Sequence, residues 1–136
     1  MGQCSVQCAK FSYVQSISSA ASHTVFLWFQ HWLVYVDVFC YWHGRPERWL
    51  IEKISRHISD IKNGPQVIQN KDVFFSCSTY RNHNEFDNFK SIYNNYNLAD
   101  IFIYILSRHA NGYRLLRDNC RIFKIRIWKD LHYNLF

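Results

Sequence analysis

Apolar positions fall into short runs separated by polar breaks, and each run predicts an element. From Val25 to Val36 β-branched and aromatic residues dominate, which predicts a strand. Val38 to His43 predicts an antiparallel neighbour after a tight turn at Asp37, closed by His43-Gly44-Arg45-Pro46. Arg48 to His57, with apolar residues at 50, 51, 54 and 58, has helical spacing. Asn63-Gly64-Pro65 is a turn signal, and Val67-Ile68 and Val73-Phe74-Phe75 predict short strands. Tyr80 to Asn97 is polar and rich in Asn, which predicts a loop with one helical turn.

Leu98 to Ala110 predicts a helix. Leu98, Ile101, Phe102, Ile105 and Leu106 form one stripe, and Asn111-Gly112 is a C-terminal stop. Asp118 or Asn119 is a natural N-cap for a last helix beginning at Cys120. The alternation of Ile122, Lys124, Arg126 and Trp128 with Phe123, Ile125 and Ile127 fits a strand as well. The cap favours the helix. The first twenty or so residues are rich in Ser and Gln and lack periodicity, so residues 1–24 are expected to be a poorly ordered segment ahead of a single domain over 25–136.

Composition narrows the classes. Lys plus Arg exceeds Asp plus Glu by 16 to 10, a net charge of +6, which favours anionic surfaces such as membranes. The basic residues are spread out, with a modest cluster from Arg108 to Lys129. No zinc-finger spacing, GxGxxG loop or regular basic–aromatic interleaving points to nucleic acid, which is not expected as a partner. The most apolar run, Val25 to Trp42, is interrupted by Gln30, His31 and Asp37 and makes a poor membrane span. The five cysteines (Cys4, Cys8, Cys40, Cys77 and Cys120) have no disulfide-framework spacing. With no secretory signal, this predicts a reducing, cytoplasmic compartment with peripheral membrane association. Met1-Gly2-Gln3-Cys4 permits lipidation at Gly2 and Cys4, but Val6 breaks the myristoylation pattern, which favours an untethered tail.

Candidate chemistry lies in two distant segments. One is His31-Trp32-Leu33-Val34-Tyr35-Val36, with His43 twelve positions after His31. The other is Tyr113 to Phe123, containing Asp118-Asn119-Cys120. A thiol just after a cap residue sits where helix N–H groups and the macrodipole stabilise a thiolate, and an imidazolium would do so more strongly. On a regular strand His31, Leu33 and Tyr35 share a face, so the helix bearing Cys120 is expected to pack there.

These boxes resemble those of the lecithin:retinol acyltransferase-like family, also called H-box/NC proteins. The family's histidine strand reads HW-A-V/I-Y-V/I, its second histidine follows one strand later, and its nucleophile box reads NC-x-x-F. Ile58 to Gly64 resembles the family's x-L-x-D-F-x-x-G step, and Leu106 to Leu116 resembles its helix and G-x-Y-x-L-L run. The resemblance covers about residues 25 to 130. Three departures stand out. Asp37-Val38-Phe39 stands where a glycine turn is usual, Arg121-Ile122 follows the cysteine where Glu-His or Arg-His is usual, and the P-G-D-L/I opening strand is absent.

The resemblance implies an α+β, permuted papain-like domain, with an antiparallel sheet packed against a cysteine-bearing helix. It implies a catalytic trio of His31, His43 and Cys120, with His43 orienting His31 in the part that Asp or Asn takes in papain-like sites. The implied function is a thiol acyltransferase or phospholipase acting on glycerophospholipid acyl chains through an acyl-cysteine, with no cofactor and no metal. The phospholipid substrate would be met at an anionic membrane surface. The worn frame supports an alternative, a catalytically inactive H-box/NC interaction protein. A cysteine protease or amidase is a third reading, since papain-like folds host those chemistries. The acyl donor and acceptor and the oligomeric state are not encoded in any motif.

Overall fold

The computed structural model describes residues 9–22, 31–54, 67–70, 72–77, 83–90, 97–109, 111–114, 117 and 119–133. Among these, six strands form one sheet: β1 (Ser12–Ser22), β2 (Trp32–Cys40), β3 (Arg45–Lys53), β4 (Val67–Asn70), β5 (Val73–Cys77) and β6 (His83–Lys90). Two helices follow, α1 (Leu98–Arg108) and α2 (Cys120–His132). The sheet order is β4-β5-β3-β2-β1-β6, and every pairing is antiparallel. The fold class is therefore α+β.

The helices lie on one face of the sheet. Val14, Ile17, Val34, Val36, Val38, Trp49, Ile51, Val73 and Phe75 meet Leu98, Ile101, Phe102 and Ile105 of α1 and Phe123, Ile127 and Leu131 of α2 in one buried cluster. Phe102 seats its ring 5.2 Å from Trp49 and 4.3 Å from Phe75, centroid to centroid. Each such side chain, fully buried, contributes roughly 1.5–3 kcal/mol. The other face carries Ala20, Leu33, Tyr35 and Leu50, also buried. The α2 helix thus packs over Val34, Val36 and Val38, not over the face of Leu33 and Tyr35 on which it was expected.

Four sequence expectations are corrected. First, much of residues 1–24 is not loose: Ser12–Ser22 forms β1, an interior strand between β2 and β6. Its period was hidden because a bulge between Val14 and Ser16 breaks strict alternation, so Val14 and Ile17, three apart, enter the same core cluster. Second, the chain does not turn at Asp37. The strand β2 runs through it, and Asp37 pairs with Arg48 on β3. Arg48 donates to both Asp37 oxygens, Nε at 2.6 Å and Nη2 at 3.0 Å, and Ser16 Oγ donates to Oδ2 at 3.1 Å. A bidentate guanidinium holds a mid-strand carboxylate where a turn residue was expected.

Third, the helix expected over 48–57 is strand across residues 48–53, and residues 55–57 lie outside the described residues. Arg45–Lys53 is β3, whose Trp49, Leu50 and Ile51 are buried on both faces. A short apolar run buried from both sides cannot be told from a helix by periodicity alone. Fourth, the loop expected over 80–97 contains β6. The strands expected at Val67-Ile68 and Val73–Phe75 are β4 and β5, and the helix expected from Leu98 is α1. Residues 1–8, 23–30 and 55–66, which include Gly2, Cys4, the start of the first expected strand, the Ile58–Gly64 step and the Asn63-Gly64-Pro65 turn, lie outside the described residues.

The real hairpin turn is Tyr41–Gly44, closed by Gly44 N–H donating to Cys40 O at 2.7 Å. Gly44 has φ +66, and a Cβ there would meet nothing within 4 Å. The cost of a side chain is therefore purely conformational. Gly44→Ala is expected to destabilise by about 1 kcal/mol, and Gly44→Asn by less, because Asn tolerates the left-handed region. Urea unfolding midpoints of the two variants against the native chain check this.

Among the described cysteines, Cys40 and Cys120 are outside any disulfide and Cys77 is disulfide-bonded. The cysteine spacing did not predict this disulfide. No helix among the described residues is long and apolar enough to cross a membrane.

Candidate active site

Cys120 is the first residue of α2. Asn119 caps the helix, its side chain accepting from Ile122 N–H at 3.0 Å, while its carbonyl accepts from Phe123 N–H. The cap expected at Asp118 or Asn119 is Asn119, and the contest between helix and strand is settled as helix. Phe123, Ile127 and Leu131, four apart, set the stripe that anchors the helix on the sheet. That anchoring carries the helix N-terminus to the end of the sheet where β2 begins. Lys124, in the first turn, places its ammonium 4.4 Å from the centre of the Trp32 ring.

His31 immediately precedes β2 and is not bound by the alternation of the strand. Its ring is hydrogen-bonded to Cys120 and, through Nε2, to Glu52 Oε2 at 2.5 Å. Glu52 lies on β3 opposite Leu33, so it is a diagonal cross-strand neighbour of His31, and its side chain is fully buried. Two of the three expected residues, His31 and Cys120, therefore come together, and the third position at His31 is held by Glu52.

His43 is elsewhere. It sits in the hairpin turn beyond the far end of β2, and the nine residue steps from His31 to Cys40 alone span about 30 Å of extended chain. There Nδ1 of His43 lies 2.9 Å from Glu47 Oε1 and 3.6 Å from Cys40 Sγ. The family resemblance assigned His43 to the site, and a turn at Asp37 would have folded it back beside His31. Since β2 continues to Cys40, the histidine twelve positions on is carried away from the site rather than folded back beside it.

Electrostatics favour an ion pair. Burial works against protonated His31, but hydrogen bonds to Cys120 and Glu52 and the negative charge of both outweigh it and raise the imidazole to about 9. Burial likewise works against the Cys120 thiolate. The His31 hydrogen bond, a backbone N–H at Trp32, the charge of His31 and a backbone N–H at Arg121 together bring the thiol below its ordinary value. The fall in Cys120 and the rise in His31 are two sides of one thiolate–imidazolium pair. Burial first, and then the charge of Cys120, raise the Tyr113 phenol, so this ring too feels the pair. Tyr113 is held there by its N–H donating to Asp72 Oδ2 at 2.7 Å.

The arrangement of nucleophile, base and buried carboxylate is the triad logic of thiol catalysis. Glu52 was missed by sequence reasoning. The signal was a charged residue directly after the apolar run Trp49–Ile51, together with the register that follows once the turn is placed at Gly44. The chain matches no family model, no curated protein and no solved structure.

Proposed function

We propose that this chain is a thiol acyltransferase or phospholipase acting on glycerophospholipid acyl chains, in a permuted papain-like domain of the H-box/NC type. The reading rests on one observation: a helix-N-terminal thiol hydrogen-bonded to a histidine that also bonds a fully buried carboxylate. In the proposed reaction the Cys120 thiolate attacks the ester carbonyl carbon. A tetrahedral adduct collapses with cleavage of the C–O bond, and His31 gives its proton to the departing alkoxide. His31 then takes a proton from water or an amine, which attacks the acyl-thioester and frees the thiolate. Glu52 holds the imidazole and stabilises its protonated form.

The test is selective alkylation of the full chain with iodoacetamide at mildly acidic pH, read by peptide mass spectrometry. Cys120 is expected to react at least ~10-fold faster than a thiol of ordinary pKa, about 8.5, present as a free peptide control. A Cys120 no faster than that control would overturn the reading. A second reading, an inactive H-box/NC interaction protein, is favoured by the position of His43, which the family resemblance assigned to the site and which lies at the other end of β2.

The substrate class carries its own expectation. A net charge of +6 should draw the chain to anionic lipid. In liposome flotation, binding to phosphatidylserine vesicles is expected to fall steeply between about 0.05 and 0.5 M salt, as screening shortens the reach of surface charge. Binding unchanged by salt would point to an anchor rather than to charge, with lipidation at Gly2 and Cys4 the first possibility to test by mass spectrometry.

A further inference from the structure

At the far end of β2 a second cluster has no part in the proposed reaction. Cys40 ends β2, His43 lies in the turn, and Glu47 is the third residue of β3. Cys40 pairs with Arg45 across the hairpin, so Glu47, two residues on, projects from the same face as Cys40. The three ligand atoms lie within 4.8 Å of one another. All three side chains are withdrawn from solvent: Cys40 is fully buried, and the side chains of His43 and Glu47 are only 9% and 4% exposed.

The decisive detail is which nitrogen is used. Nδ1 of His43 faces both Cys40 Sγ, at 3.6 Å, and Glu47 Oε1, at 2.9 Å. A catalytic triad needs the two partners on different ring nitrogens, as a base between nucleophile and carboxylate. Here sulfur and a carboxylate oxygen both approach the same nitrogen, and the three atoms lie within 4.8 Å of one another. For a tetrahedral ion with Zn–S of ~2.3 Å and Zn–N of ~2.0–2.1 Å the S···N edge is about 3.6 Å, which is the separation found. An ordinary His–Glu ion pair would account for the 2.9 Å contact alone; the sulfur at 3.6 Å is a second contact on the same nitrogen.

We propose that Cys40, His43 and Glu47 form a Zn²⁺ site that pins the β2–β3 hairpin. Binding replaces the Cys40 S–H proton, which goes to solvent, with an S–Zn bond. Neutral His43 gives Nδ1 and Glu47 gives a carboxylate oxygen. Thiolate and carboxylate together carry two negative charges that balance those of the ion, while the half-exposed Arg45 guanidinium lies 4.0 Å from the other Glu47 oxygen. Three protein ligands leave the fourth position to water. The turn, with Gly44 at φ +66, holds His43 against a residue of each strand, Cys40 of β2 and Glu47 of β3. The cluster is independent of the catalytic reading and stands or falls apart from it.

The test is titration of the full chain with Zn²⁺ alone, competed against a chromogenic chelator, with Co²⁺ as the spectroscopic probe. It is run anaerobically without reductant, because the sulfur of Cys77, tied up in its disulfide, lies 3.5 Å from Glu47 Oε2, and freeing it would add a second thiolate as a fourth protein ligand. One Zn²⁺ per chain is expected, with a thiolate-to-Co²⁺ charge-transfer band. Cys40→Ser should remove the band and weaken Zn²⁺ binding at least ~100-fold, and His43→Ala should weaken it similarly. Cys120→Ser should leave both stoichiometry and band intact. Should Cys40→Ser fail to fold by circular dichroism, Glu47→Gln, which keeps the shape of the side chain, takes its place and should weaken binding at least ~10-fold. Substoichiometric binding by the native chain, affinity unchanged in the folded Cys40 or Glu47 variant, or loss of binding in Cys120→Ser would each overturn the site.

Discussion

Cys120→Ser is expected to eliminate any acyl-enzyme and to lower turnover of a fluorogenic phospholipid by on the order of 10³-fold or more, while the fold survives. The serine hydroxyl replaces sulfur almost isosterically at a half-buried helix N-terminus, and the Asn119 cap and the Phe123, Ile127 and Leu131 stripe do not depend on it. What is lost is ionisation. His31 and the N–H groups at Trp32 and Arg121 bring a thiol below its ordinary pKa, but a serine hydroxyl starts too far above the thiol for the same neighbours to make an alkoxide at neutral pH. The measurement pairs steady-state hydrolysis with intact-mass detection of an acyl adduct after a short incubation. Turnover retained by a folded Cys120→Ser chain would assign the chemistry to another residue.

The parts of this site differ in how far the chain announces them. Cys120 was legible because capping is local: Asn119 followed by an amphipathic stripe fixes the helix start within a residue, whatever lies elsewhere. The stripe of α1 was legible for the same reason. The strands were harder, because their faces are defined by partners remote in sequence. In β1 the alternation is broken by a bulge, and the Ser and Ala positions carry little hydrophobic signal, although Ser12, Ser18 and Ser19 are buried in the sheet. In β3 the run Trp49-Leu50-Ile51 is buried from both sides and imitates a helix.

The placing of one turn then decided the membership of the site. With the turn at Asp37, His43 would fold back beside His31. With the turn at Tyr41–Gly44, Glu52 does so instead. Asp37 resembles a turn residue only until its partners are known, since Arg48 opposite it and Ser16 on β1 both bind its carboxylate. A carboxylate with two such partners from neighbouring strands belongs inside a sheet, and this information is wholly non-local.

Glu52→Gln is the variant that separates a positioned triad from a chance contact. The amide keeps the shape of the side chain and can still meet His31 Nε2, but it removes the buried negative charge that helps raise His31 to about 9. His31 should titrate lower, and the thiolate–imidazolium state should span a narrower pH range. A group whose folded pKa is raised stabilises the fold fully below its unfolded value, here 6.5, and loses that contribution as pH rises through about 9. The native chain should therefore exceed Glu52→Gln in stability most below pH 6.5, and the gap should close by the time pH passes 9. Cys120 runs the other way: with a lowered folded pKa, its contribution is present above the unfolded value of 9.0 and is lost as pH falls through the lowered one. Because the two groups form one pair, the stability gap between the two chains, measured by urea unfolding from pH 6 to 10, reports the coupled titration of His31 and Cys120 as Glu52 biases it. Breaking a buried pair outright costs about 3–5 kcal/mol, and the amide should cost less, since the hydrogen bond persists. Turnover should fall by as much as ~10⁴-fold, the scale seen when an orienting carboxylate becomes an amide and the imidazole takes the wrong tautomer. A gap that does not vary with pH, together with native turnover, would reduce Glu52 to a structural neighbour and leave His31 and Cys120 as a dyad.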